Sequence, residues 1–204
     1  MSIALIDYGI GNLRSVRKAF EAVGAKICQT DQKDEILSAD KIVLPGVGAF
    51  EDGMIGLEKR GLIPVLKQAH KKGTPILGIC LGMQLLFEYG YEMGTHKGLG
   101  FIPGHVKQFP KNELKIPHTG WNQLKLKKNS TLLTDIPDQA YVYFNHGFFC
   151  LPDEPQDTIT TTDYGLTFCS AVQRKHLFGV QFHPEKSQGI GLTILRNFWR
   201  YANE

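Results

Sequence analysis

The chain has 204 residues, of which 42% are hydrophobic and 21% charged, and its formal net charge is +3. That balance suits one domain (1–204) with a full core, and it gives no strong basic bias that would point to nucleic acid or an acidic membrane. No apolar run reaches the ~20 residues of a membrane helix, and the opening MSIALIDYG has neither a basic n-region nor a cleavage pattern, so a cytoplasmic protein is expected.

In chain order, IALID (3–7) reads as a short strand. The helix that follows would carry Leu13, Val16, Phe20 and Val23 on one face and stop at Gly24. AKICQT and KIVLP read as the second and third strands, LIPVLKQAHKKG as a helix closed by Gly73, and PILGI as a fourth strand feeding a helix in GMQLLFE. Such alternation predicts a parallel sheet covered on both faces. After residue 97 the texture turns β-rich, with Gly, Pro and Asn turns, and an antiparallel half is expected there. The Lys-rich LKLKK at 124–128 reads as a solvated strand face. The end of the chain, GIGLTILRNFWRYANE (189–204), reads as a last helix with Ile190, Ile194, Leu195 and Phe198 near one face.

The four cysteines lie at 28, 80, 150 and 169, without C-x-x-C or zinc-like spacing, so no metal and no disulfide framework is expected. Cys28, Cys150 and Cys169 sit in apolar, strand-like surroundings and read as buried structural thiols. Cys80 differs. Gly78-Ile79-Cys80-Leu81-Gly82 joins an apolar strand to a helix in the form of a nucleophile elbow, with sulfur in place of a serine oxygen. The turn is tight enough to require small flanking residues, and the helix N-terminus beside it favours a thiolate.

A thiolate nucleophile needs a base that can later protonate a leaving group, and VQFHPEKS (180–187) supplies His183 with Glu185 two residues on. In an extended segment i and i+2 share a side, so the carboxylate can fix the imidazole's tautomer while Pro184 limits drift. The other six histidines, His70, His96, His105, His118, His146 and His176, lack a carboxylate in so rigid a setting.

Cys80 in GICLGMQ and His183 with Glu185 in FHPE resemble the class I (triad) glutamine amidotransferases. Further blocks, DYGIGNLRSV (7–16), LPGVGAF (44–50), GLGFIPGHV (98–106), PHTGWN (117–122) and QFHPEKSQ (181–188), are similar to the glutaminase subunits of imidazole glycerol phosphate synthases and span almost the whole chain. The resemblance implies an α/β fold of the class I amidotransferase (flavodoxin-like) type: a parallel-centred sheet flanked by helices, with antiparallel β additions in the C-terminal half. It implies L-glutamine as substrate, Cys80 as nucleophile, His183 as proton donor to departing ammonia, and Glu185 as third member of the triad. Backbone donors to the oxyanion would come from Leu81 and from Gly46, Val47 and Gly48 in PGVG, a stretch that also reads as a plain strand-to-loop turn. Gln84 and Gly48 would contact glutamine. No cofactor is implied. The partner would be a separate (β/α)₈-barrel cyclase subunit that receives ammonia through a channel, with Asn12, Trp121, Asn122 and Lys186 matching interface positions, although Trp121 also reads as core.

Two stretches depart from the family pattern. YFNHGFF (143–149) stands where Y-F-V-H-S-Y-Y is usual, and Thr119 replaces a methionine. These changes bear on the acceptor, because relatives of this subunit supply ammonia for amidino sugars of surface polysaccharides. Readings of another class also stay open. DYGIGNLR with Asp31 carries part of a dinucleotide fingerprint, with Arg14 at the third glycine position, and a vestigial triad would make a regulatory module.

Overall fold

The structure is a computed structural model and describes residues 1–110 and 114–202. Its first part runs β1 (Ser2–Ile6), α1 (Leu13–Ala22), β2 (Lys26–Thr30), α2 (Lys33–Ser38), β3 (Lys41–Leu44), α3 (Phe50–Lys59), α4 (Leu62–Lys72), β4 (Ile76–Ile79) and α5 (Leu81–Leu85). Helix α1 begins as its sequence dictates: the Asn12 side chain accepts from the Ser15 N–H, and Val16, Ala19 and Phe20 are buried against the sheet. The α4 helix ends on Gly73 in the left-handed conformation, a position a β-carbon would strain.

Helices α2 and α3 were not legible in the sequence. In α3 the signal is weakened by Gly53 and Gly56, which are small because the side chains of Leu81 and Leu85 and the Tyr8 carbonyl press against them. A helix was expected through GMQLLFE, but α5 ends at Leu85 and the chain turns into β5 (Phe87–Gly90), which pairs with two further strands. A short apolar run fits a buried helix or a buried strand equally well, and here the open edge of the sheet decides.

The second part adds β6 (His96–Lys97), β7 (Ile102–Gln108), β8 (His118–Gln123), β9 (Lys125–Leu126), β10 (Tyr141–His146), β11 (Phe148–Pro152), β12 (Thr158–Asp163), β13 (Thr167–Arg174), β14 (Leu177–Val180) and α6 (Gln188–Arg200). The expected terminal helix therefore stops at Arg200, and residues 203–204 of that expectation lie outside the described residues. Ile194, Leu195 and Phe198 form its buried face. In the LKLKK stretch the lysines are exposed while Leu124 is buried.

Among the described residues, twelve strands form one sheet in the order β2-β1-β3-β4-β14-β13-β11-β7-β5-β6, with β12 and β9 branching from β13; β8 and β10 form a separate antiparallel pair. The strands β2, β1, β3, β4 and β14 are mutually parallel, and β13, β11 and β7 continue antiparallel. Two apolar clusters cover the two faces, one under α1 and α6, the other under α2 to α5. Cys150 and Cys169 face each other across β11 and β13, buried and unbonded. Burial and their mutual repulsion push the Cys150 thiol up, and burial raises Cys169 to about 12. Cys28 corrects the expectation of three buried thiols: it is exposed, because β2 is the edge strand and Cys28 lies on its open face.

Candidate active site

The loops that follow β1, β3, β4 and β14 leave the sheet at the same end, the carboxyl end of neighbouring parallel strands, where open α/β sheets place their sites. Strands β4 and β14 lie side by side with Ile79 opposite Val180, although about a hundred residues separate them in the chain. Cys80 follows the first and His183 the second.

Cys80 sits at φ 53° and ψ −110°, a conformation that costs a side-chain-bearing residue roughly 1–3 kcal/mol. The surroundings over-determine it. The Cys80 N–H donates to the Val180 carbonyl at 2.8 Å. A β-carbon on Gly82 would lie 1.8 Å from the Leu44 oxygen, and one on Gly78 2.5 Å from the Gly82 oxygen. Both glycines of the elbow are thus fixed by close backbone approach. The thiol is 5% exposed, and the Gln181 side-chain amide donates to its sulfur at 3.8 Å.

His183 is placed by long-range contacts. Its N–H donates to the Tyr143 carbonyl at 2.8 Å, and its carbonyl accepts from Ser187 Oγ at 2.6 Å, which itself accepts from the Tyr143 N–H. His183 Nδ1 meets Glu185 Oε1 at 2.9 Å, the two side chains being 3% and 1% exposed. The proximity was expected from an extended segment, but Pro184–Lys186 is a single 3₁₀ turn, and that turn brings the carboxylate round to the ring. Nε2 makes no well-formed hydrogen bond and is left beside the Cys80 sulfur. Burial opposes a charge on the ring, yet the Cys80 sulfur and the Glu185 carboxylate outweigh it and raise the His183 pKa to about 10. The imidazolium form is therefore favoured at neutral pH, the form from which a ring nitrogen can give up a proton.

A cavity of about 270 Å³ opens over the thiol, lined by Val47, Gly48, Cys80, Leu81, Gln84, Glu92, Asn145, His146 and Phe148 among others. It is smaller than common drug-sized pockets (about 300–1,000 Å³) and fits a compact polar ligand. Val47 and Gly48 line it as expected, Gly48 at φ +104°. Gly46 does not. It is wedged against the Tyr8 hydroxyl, Leu81 and Gly82, and Tyr8 Oη donates to the Pro45 carbonyl at 2.6 Å, pinning the start of the loop. Buried Gln84 donates through Nε2 to the Phe148 carbonyl at 3.2 Å and to Gln181 Oε1 at 3.1 Å.

Glu92 is a cavity residue that no sequence pattern singles out. It belongs to no motif, and only the fold brings it to the cavity, where its Oε2 also accepts from the Phe50 N–H at 2.8 Å. Among the described lining residues it is the one carboxylate, a group suited to a ligand ammonium.

The residues matched to an interface fall into two settings. Trp121 is 46% exposed, which decides against the core reading, and its ring stands edge-on to Tyr143 at 6.1 Å, with Lys186 Nζ 5.6 Å from the Tyr143 centroid. Exposed Asn12 caps α1 at the same end of the sheet. Asn122 is turned inward, donating to the Asp163 carbonyl at 2.9 Å and to His118 Nε2 at 3.3 Å. The two departures from the family pattern prove to be paired. Thr119 and Asn145 lie opposite each other across β8 and β10, and Thr119 Oγ1 donates to Asn145 Oδ1 at 3.0 Å. The Gly9–Gly11 turn left open for a dinucleotide is covered by Arg60, which donates to the Tyr8 carbonyl at 2.8 Å.

No group of three or more His, Cys, Asp or Glu side chains among the described residues could hold a metal, and no described helix is long and apolar enough to cross a membrane.

The profile of the family described as glutamine amidotransferase class-I matches residues 4–201. The chain is 49% identical over 203 residues to the imidazole glycerol phosphate synthase subunit HisH of Geobacter metallireducens, with 97% of each chain covered. It is 50% identical over 200 residues to the subunit of the same name from Salinibacter ruber, covering 95% of this chain and 92% of the relative. Among solved structures, PurLQS from Thermotoga maritima matches with a TM-score of 0.71 at 19% identity, covering 97% of this chain and 96% of that one, a likeness that bears on the fold.

Proposed function

Because the chain belongs to the class-I glutamine amidotransferases, we propose that it is the glutaminase subunit of an imidazole glycerol phosphate synthase, one amidotransferase domain over 1–204, working in the cytoplasm without a cofactor. The observation that carries this reading is the convergence of Cys80, His183 and Glu185 on neighbouring strand ends, in a chain about half identical to subunits of that enzyme.

The Cys80 sulfur attacks the side-chain amide carbon of L-glutamine, and the carbonyl oxygen gains negative charge. The N–H groups of Leu81, Val47 and Gly48, residues that line the cavity, receive it in this reading, each such donor contributing about 10²–10³ in rate. As the C–N bond breaks, the His183 imidazolium gives its Nε2 proton to departing ammonia, leaving a γ-glutamyl thioester on Cys80. His183, now neutral, takes a proton from water as that water attacks the thioester, and glutamate leaves. Glu185 keeps Nδ1 protonated throughout and stabilises the imidazolium. Gln84 and Gly48 contact the substrate, and the Glu92 carboxylate accepts from the glutamine α-ammonium.

Ammonia freed in water would be protonated and lost, so the subunit delivers it to a cyclase partner, a (β/α)₈ barrel paired with it as a heterodimer, across the end of the sheet where Asn12, Trp121 and Lys186 are exposed. Asn122 supports that face from behind. The test is glutamate release from glutamine by wild type and Cys80→Ala, each with and without the cognate cyclase subunit and its nucleotide intermediate. Wild-type release should rise with the loaded partner, and the substitution should abolish it by about 10⁴-fold or more. Activity surviving in Cys80→Ala would refute the mechanism, and partner-insensitive activity would favour the amidino-sugar acceptor.

A further inference from the structure

His118 and His146 stand outside the triad, yet both are buried and hydrogen-bonded to each other, His118 Nδ1 to His146 Nε2 at 3.1 Å. The outer nitrogens of the pair have unambiguous partners. At one end the Asn122 side chain is fixed, because its Oδ1 accepts from the Gln123 N–H while its Nδ2 donates to the Asp163 carbonyl; Nδ2 therefore also donates to His118 Nε2, at 3.3 Å. At the other end His146 Nδ1 lies 2.7 Å from the Phe148 carbonyl, which can only accept. Worked from either end, both rings must be neutral with the proton on Nδ1, and the bonds run in one direction, from Asn122 through His118 and His146 to Phe148. An extra proton on either ring would set two donors against each other.

The Phe148 carbonyl is shared. It also accepts from Gln84 Nε2, Gln84 donates in turn to Gln181, and Gln181 donates to the Cys80 sulfur. Aromatic faces hold the His118 ring, with Tyr164 stacked at 3.9 Å and Phe144 at 4.8 Å between ring centroids. Asn122 sits next to exposed Trp121 on β8, so the chain begins at the outer strand pair and ends at the wall of the cavity.

We propose that His118 and His146 are positioning residues for the glutamine site: a fixed pair of neutral imidazoles that ties β8 to the Phe148 carbonyl and, through it, sets where Gln84 stands over the thiol. The proposal rests on the glutaminase reading. A partner that shifts β8 at Trp121 would move the substrate wall through this chain, with no contact of its own to glutamine.

Two measurements test it. Nitrogen-15 NMR of the imidazoles at pH 7 should find both His118 and His146 neutral and protonated on Nδ1; a ring protonated on Nε2, or a cationic one, overturns the proposal. Steady-state glutamate release, in the presence of the cyclase subunit, should show His146→Leu raising KM for glutamine about tenfold with kcat within about threefold, since one buried polar contact is lost on the binding side. His146→Asn, whose side-chain amide can still reach the Phe148 carbonyl, should recover most of the KM. Equal impairment in the two variants, or a wild-type KM in His146→Leu, overturns the proposal. If wild type releases no glutamate while both rings show the stated tautomer, the glutaminase reading is what has failed.

Discussion

The two walls of the site are held by different means. The nucleophile wall, β4 through α5, is held by close backbone packing: within five residues a strained cysteine and two glycines are locked, Gly82 by the Leu44 oxygen at 1.8 Å and Gly78 by the Gly82 oxygen at 2.5 Å from their would-be β-carbons. The base wall, from β10 across to Pro184–Lys186, is assembled from residues distant in sequence, with Tyr143 and Ser187 clamping the His183 backbone from both sides. The first wall should fail by steric clash and the second by loss of hydrogen bonds or by a change of protonation.

Apart from removing the Cys80 sulfur itself, the largest expected effect falls on the base wall. Glu185→Gln keeps the shape of the carboxylate but removes the charge that stabilises the imidazolium, so kcat for glutamine hydrolysis should drop by about 10³–10⁴-fold. A loss under about tenfold would mean that the turn geometry alone orients His183. On the nucleophile wall, Gly82→Ala should destabilise by ~3 kcal/mol or more, because the clash is with the Leu44 backbone and no side chain can yield. Urea unfolding would read this, and a variant of wild-type stability would show that β3 can move away from the elbow.

Acid titration should separate the walls more gently. Burial lowers the His118 pKa to about 4 and the His146 pKa to about 3, and it also lowers His70 and His176. For a histidine whose folded pKa is depressed, the unfolded chain binds the proton first. Stability is thus fully present above the unfolded value of 6.5 and is lost as pH falls from there toward 4 and 3. His183 runs the other way: its contribution is full below 6.5 and disappears as pH rises through about 10. The urea midpoint should therefore decline below pH 6.5, and His146→Asn should flatten that decline. An acid limb unchanged in His146→Asn would place the proton uptake on His70 and His176 instead.

Much of this molecule is written locally. The G-x-C-x-G elbow, the βα alternation of the first half, the caps of α1 and α4 and the His183–Glu185 pair each depend on residues a few positions apart, so their physics is visible in the string itself. The misses share a cause. Gly53 and Gly56 look like helix breakers until the side chains and carbonyl pressed against them are seen, and Phe87–Gly90 becomes a strand only because β6 and β7 are there to pair with it. Cys28 looks buried until β2 proves to be an edge.

By itself, then, the sequence determined the family, and it singled out Cys80, His183 and Glu185 as the candidate nucleophile, base and supporting carboxylate. Tertiary structure alone decided the rest: that β14 would lie beside β4 and so bring His183 to Cys80, that Glu92 would reach the cavity, that Trp121 would stay exposed while Asn122 turned inward, and that His118 would meet His146. The physical reason is range. Steric and capping rules act within one or two turns of chain, whereas strand neighbours and buried hydrogen-bond partners are chosen among residues tens of positions apart, by which pairing leaves the least polar surface unsatisfied in the core.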